Sequence, residues 1–81
     1  MSEESHLRWL CRRGMKELDV VLTRYLDGRY PVAAEPERQD FRRLLEMPDP
    51  DLYSLVMQHA KNQDPRIQNL IESIRGFAKA Q

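Results

Sequence analysis

The chain has 81 residues, of which 41% are hydrophobic and 32% charged, enough for one domain with a single core near the lower size limit for unstapled folds. Thirteen basic and thirteen acidic side chains cancel, so no overall field recruits a polyanion or an anionic membrane. Apolar runs such as Val20-Val21-Leu22 are too short to span a bilayer, and a single cysteine, Cys11, excludes an intramolecular disulfide and suits a reducing compartment.

In chain order, Met1-Ser2-Glu3-Glu4-Ser5 lacks the basic and apolar regions of a signal peptide and the arginine-rich character of a mitochondrial presequence. A bacterial cytoplasm is the expected location, and residues 1–5 and 79–81 are expected to be flexible ends of one domain. Leu7, Leu10 and Cys11 share a face at helical spacing and predict a first helix. Arg12-Arg13-Gly14 reads as its end, with glycine supplying a positive φ and the basic residues favoured at the negative end of the helix dipole. A second helix follows almost at once, with Glu17 in or near its first turn and Leu18, Val21, Leu22 and Tyr25 on one face. Tyr30-Pro31 closes that region and Val32-Ala33-Ala34 reads as a connector.

Three acid–proline pairs then predict three helix starts: Glu35-Pro36, Asp49-Pro50 and Asp64-Pro65. An Asp can cap free N–H groups, and proline at the first helical position gives up a donor that has no partner there. The stripes agree: Phe41, Leu44 and Leu45; Leu52, Leu55 and Val56; Ile67, Leu70, Ile71, Ile74 and Ala78. The expected fold is all-α, about five short helices that each need the others to bury a stripe.

The first helix holds an anomaly. Trp9 and Arg13 point roughly opposite Leu7, Leu10 and Cys11, with Arg8 and Arg12 nearby. An indole among arginines has the composition of an interaction surface. It equally fits a Trp packed under a neighbouring helix and covered by arginine stems, and periodicity alone leaves the two readings level. Arg8, Arg12, Arg13 and Lys16 also form a basic stretch. It reads first as a solvated face balanced by Glu17 and Asp19, and second as a nucleic-acid contact. Neither His6, His59 nor Cys11 has partners at ligand spacing, so no metal site is expected. His59 shares a face with Leu52, Leu55 and Val56, and Cys11 with the core face, so both read as packed side chains. Met15, Met47 and Met57 read as gap-fillers. No catalytic triad, carboxylate pair or phosphate loop is visible.

The stretch Trp9-Leu10-Cys11-Arg12-Arg13-Gly14-Met15-Lys16-Glu17-Leu18-Asp19 closely resembles the signature of the SdhE family, the succinate dehydrogenase assembly factors or flavinators. The family's R-G-x-x-E motif is here Arg13-Gly14-Met15-Lys16-Glu17. A second block, Phe41-Arg42-Arg43-Leu44-Leu45-Glu46 followed by Asp49-Pro50-Asp51-Leu52-Tyr53, resembles the family in the same order, and the resemblance runs from about His6 to Ile74.

The resemblance implies a small helical bundle that is not an enzyme and has no cofactor of its own. Such a protein, expected as a monomer, binds the flavoprotein subunit of succinate dehydrogenase and of the related fumarate reductase. It promotes covalent linkage of FAD to a histidine of that subunit, so the FAD belongs to the client; no nucleic acid and no membrane insertion are expected. Carried over by residue, Gly14 permits the tight junction, Arg13 and Glu17 present charges to the client, and Arg8, Trp9, Arg12 and Met15 flank the contact. Asp51 and Tyr53 border the same surface. Many relatives carry arginine where this chain has His6, which sets His6 apart from the expected contacts. Members are also described as antitoxins, and an antitoxin-type or nucleic-acid-binding regulator using Arg8 to Lys16 is the alternative reading.

Overall fold

A computed structural model describes residues 3–57 and 60–79, except for the side chains of 78 and 79. It comprises α1 (Glu3–Leu10), α2 (Lys16–Gly28), a 3-10 turn (Tyr30–Val32), α3 (Glu35–Leu44), α4 (Asp49–Met57) and α5 (Pro65–Lys79). Among the described residues there is no strand, as the 3.6-residue spacing of the apolar positions requires.

All three acid–proline pairs sit at helix starts, but the capping chemistry differs among them. Asp64 is a side-chain cap: its Oδ1 accepts the Arg66 N–H at 3.0 Å, and its carbonyl accepts the Gln68 N–H at 2.9 Å. At α3 the cap position falls to Ala34, which offers no side-chain bond. Glu35 lies inside the first turn and reaches Arg42 at 2.6 Å. At α4 the Leu52 N–H bonds the Pro48 carbonyl at 3.0 Å, so Asp49 is also inside its helix, and its carboxylate turns to Arg13. The proline sets these two starts by its fixed φ, without help from a capping carboxylate.

Helix α2 is central, packing on α5, α4, α1 and the 3-10 turn, while α5 also covers α3 and α4. The core joins Leu7 and Cys11 of the N-terminal segment to Leu18, Leu22, Tyr25 and Leu26 of α2. Tyr30 of the 3-10 turn, Phe41 and Leu44 of α3 with Leu45 just after it, Leu52, Leu55 and Val56 of α4, and Ile67, Leu70, Ile71 and Ile74 of α5 complete it. The sequence stripes therefore coincide with buried faces. Phe41 is wedged between Tyr25 and Tyr30, with ring centroids 4.7 and 5.5 Å away, a tilted arrangement that aromatic quadrupoles favour. The expected contributions of His59 and of the Ala78 side chain lie outside the described residues.

The polar ends of this core are tied off by charged groups. The Tyr30 hydroxyl donates to Glu3 at 2.7 Å, and Arg42 reaches both groups at 2.7 and 3.1 Å. Residues 3–5 form the first turn of α1, and Glu3 bonds to the turn and to α3. Asp40 is buried and lies 3.1 Å from the Arg66 guanidinium. Arg75 donates to the carbonyls of Val56, at 2.9 Å, and Leu55, satisfying the C-terminal end of α4.

Candidate partner-docking surface

Burial of Leu7 and Cys11 orients α1. With that face fixed against α2, Trp9 is two positions (about 200°) away from Leu7 and faces outward. Trp9 is 67% exposed and its ring lies nearly parallel to His6, at an interplanar angle of 18° and 6.4 Å between centroids. Of the two readings of Trp9, the structure selects the exposed one. Arg8 is drawn into ion pairs with Asp27 of α2 at 2.6 Å and with Glu4 at 3.3 Å.

The segment from Cys11 to Met15 joins α1 to α2. Helix α1 closes with short bonds from the Cys11 N–H to Arg8 (3.2 Å) and from the Arg12 N–H to Trp9 (3.1 Å), the tightened last turn that spares orphan carbonyls. Gly14 has the expected positive φ, +77°, but it does not cap α1, which has already ended at Leu10. It stands instead just before Met15, the N-cap of α2, and turns the chain into that helix. An added Cβ at Gly14 would meet nothing within 4 Å, so glycine is required by backbone conformation and not by crowding. Met15 is half-buried against the core, as expected of a gap-filler.

Arg13 departs from its expected position as a surface charge. Its side chain is only 13% exposed. Nε donates to the Leu10 carbonyl at 2.8 Å, Nη1 to the Met47 carbonyl at 3.0 Å and to Asp49 Oδ1 at 3.1 Å, and Nη2 to the Leu45 carbonyl. Its backbone N–H donates to Asp19 Oδ1 at 2.7 Å. The half-buried guanidinium works inward because α1 and α3 end with carbonyls pointing at the same spot, a long-range coincidence that spacing cannot reveal.

Glu17, Lys16 and Arg12 are exposed. Two shallow depressions meet at Val20, itself 41% exposed. One, of about 550 Å³, is lined by Arg12, Gly14, Asp19, Val20, Thr23, Arg24 and Asp27. The other, of about 430 Å³, is lined by Lys16, Glu17, Val20, Val21 and Met57. Sequence reasoning missed Val20 and Arg24. Their spacing of three and seven residues from Glu17 puts them on one face of α2 and was the available signal. Asp51 is exposed but lines a separate depression with Met47, Ser54, Leu55 and Asn62. Tyr53 is half-buried against the core one turn before Met57. The structure thus brings Arg12, Gly14 and Glu17 to one continuous surface, extends it to α4 through Met57, and leaves Asp51 to one side.

Cys11 is fully buried, and burial pushes its thiol up to about 12, which keeps it protonated and inert. Among the described residues no group of three His, Cys, Asp or Glu side chains could hold a metal ion. No helix among them is long and apolar enough to cross a membrane.

A family described as the flavinator of succinate dehydrogenase matches residues 5–78. The FAD assembly factor SdhE of Methylococcus capsulatus is 44% identical over 77 residues, covering 95% of this chain and 93% of that protein. SdhE of Yersinia pseudotuberculosis is 35% identical over 80 residues, covering 99% and 91%. SdhE of Vibrio vulnificus is 39% identical over 72 residues, covering 89% and 84%.

Proposed function

Because the chain belongs to the family of succinate dehydrogenase flavinators, we propose that it binds the flavoprotein subunit of that enzyme and promotes covalent attachment of FAD to it. It acts as an assembly factor. The reacting groups, flavin and histidine, belong to the client, and this chain contributes binding energy. A factor of this kind works by binding one client conformation better than another, so that the linkage-competent arrangement becomes more populated. A tenfold population gain needs only about 1.4 kcal/mol of differential affinity, within reach of a small surface.

The docking surface is formed by Trp9, Arg12, Gly14, Met15 and Glu17, flanked by Arg8 and extended by Val20 and Arg24. Tyr53, one turn before Met57, borders it on α4, and Asp51 lies apart in its own depression. The observation that carries this reading is Trp9: a large indole left 67% exposed beside a loop tied to its neighbours through Arg13. Exposed aromatics next to arginines are typical anchors of protein interfaces. A fumarate reductase flavoprotein is a second client of the same chemistry. The protein works as a monomer in the bacterial cytoplasm, without a cofactor, catalytic group or nucleic-acid partner of its own. The alternative regulator reading draws no support from the relatives. Two of its four cations, Arg8 and Arg13, are already paired with carboxylates of this chain.

The test is covalent flavin on the succinate dehydrogenase flavoprotein subunit, read as fluorescence in a denaturing gel. Cells with the factor, without it, and with Glu17→Ala or Trp9→Ala are compared. The flavin band is expected to fade without the factor and to stay weak with either variant. A band unchanged in cells lacking the factor would overturn the function; full activity of both variants would overturn the surface.

A further inference from the structure

We propose that Arg13, the arginine of the R-G-x-x-E motif, is a positioning residue: an internal latch that locks the docking loop to the α3–α4 corner, not a charge offered to the client. The inference rests on the docking-surface reading above and changes the role of one of its motif residues.

The latch joins four helices through one residue. The Leu10 and Leu45 carbonyls belong to the C-terminal ends of α1 and α3, where orphan acceptors and the negative end of the helix dipole favour a cation. The Met47 carbonyl and the Asp49 carboxylate add the α3–α4 corner and the first turn of α4. The Arg13 N–H to Asp19 Oδ1 bond adds the first turn of α2. With all three guanidinium nitrogens donating inward and the side chain 13% exposed, little of it is left for an arriving partner. Next in the chain, Gly14 turns outward and Glu17 emerges on α2 one turn later, so whatever fixes Arg13 also fixes where they stand. The two sequence blocks that carry the family resemblance are thereby two halves of one device. The first supplies the arginine; the second, through Leu45 and Asp49, with Met47 between its two parts, supplies its receptor.

Lysine separates latch from contact. It keeps the charge, but a compact ammonium on a flexible stem cannot reproduce a planar fork serving four spaced acceptors. Arg13→Lys, Arg13→Ala, Asp49→Ala and the Arg13→Ala/Asp49→Ala pair are compared by amide hydrogen exchange of the isolated protein and by client flavinylation in cells. A circular dichroism spectrum confirms helix content in each. The expected result is faster exchange, by about tenfold or more, across 12–19 in Arg13→Lys and Arg13→Ala, with α5 core amides changing less. Flavinylation should fall in both, with lysine giving no rescue. Asp49→Ala should act in the same direction more weakly, and add little once Arg13 is gone.

Unchanged loop exchange in both Arg13 variants would overturn the latch, as would full flavinylation by Arg13→Lys. If Arg13→Ala fails to fold, the Asp49→Ala exchange profile decides: a loop loosened more than 30 residues away in sequence supports the latch, and an unaltered loop overturns it. The docking reading is judged separately, by Glu17→Ala in the same flavinylation assay, because loop exchange requires no client.

Discussion

Replacing Gly14 isolates a backbone effect unusually well, because its φ is +77° and nothing lies within 4 Å of an added Cβ. No contact is gained or lost when a Cβ is introduced, so the cost for alanine is that of holding an L-residue in the left-handed region, roughly 1–2 kcal/mol. Alanine should therefore destabilise by about 1–2 kcal/mol, valine by more because its branched Cβ resists this region further, and asparagine by least because it tolerates it. In a domain of this size each kcal/mol corresponds to a fall of about 4–8 °C in Tm. Total stability is of order 0.05–0.15 kcal/mol per residue, so the fold should survive alanine.

Urea denaturation of wild type, Gly14→Asn, Gly14→Ala and Gly14→Val gives the series, and flavin fluorescence of the client gives its functional counterpart. Client flavinylation should be abolished by Gly14→Val, since the turn that delivers Met15 and Glu17 is reshaped to escape the strain. Equal stability of the alanine and glycine proteins would refute the conformational argument. An asparagine variant as damaged as valine would refute it too, because the order of the series depends only on φ. A fully active Gly14→Val protein would remove the glycine from the docking mechanism.

Two further predictions concern titration. Burial holds the Cys11 thiol up to about 12, so iodoacetamide at pH 8 should alkylate the native protein on the order of a hundredfold more slowly than the urea-unfolded chain; comparable rates would contradict the buried position. Glu37 is held below its ordinary value of 4.5, first by its hydrogen bonds from Arg29 and then by the Tyr25 hydroxyl, against an opposing push from burial. A depressed carboxylate contributes stability above its unfolded pKa and loses it as pH falls through the lower folded one. Urea midpoints measured through the acid range should therefore drop below about pH 4.5, and Glu37→Gln should flatten that drop. A variant with the wild-type acid slope would show that other carboxylates carry it.

Features governed by neighbours in the chain were legible before any coordinates. A proline fixes φ wherever it stands, so the starts at Glu35, Asp49 and Pro65 follow from local covalent geometry. The 3.6-residue recurrence of Leu18, Leu22 and Tyr25, or of Ile67, Ile71 and Ile74, describes which face a helix buries without saying against what. The need for glycine at position 14 is likewise local, and the family signature around it was visible as a string of residues.

The tertiary structure decided what lies across longer separations. Periodicity placed Arg13 and Trp9 on the same polar side of the first helical stretch and had no means to separate them. The end of helix α1 at Leu10 then gave them opposite fates: Trp9 stays on the helix and faces out, whereas Arg13 lies beyond it and bends back. Its acceptors at Leu45 and Met47 are 32 and 34 residues away, and Arg8 finds Asp27 across 19. A cation's partner depends on which carbonyl and carboxylate ends the packed helices bring together, because hydrogen bonds and desolvated charges act over a few ångströms of space and are blind to distance along the chain.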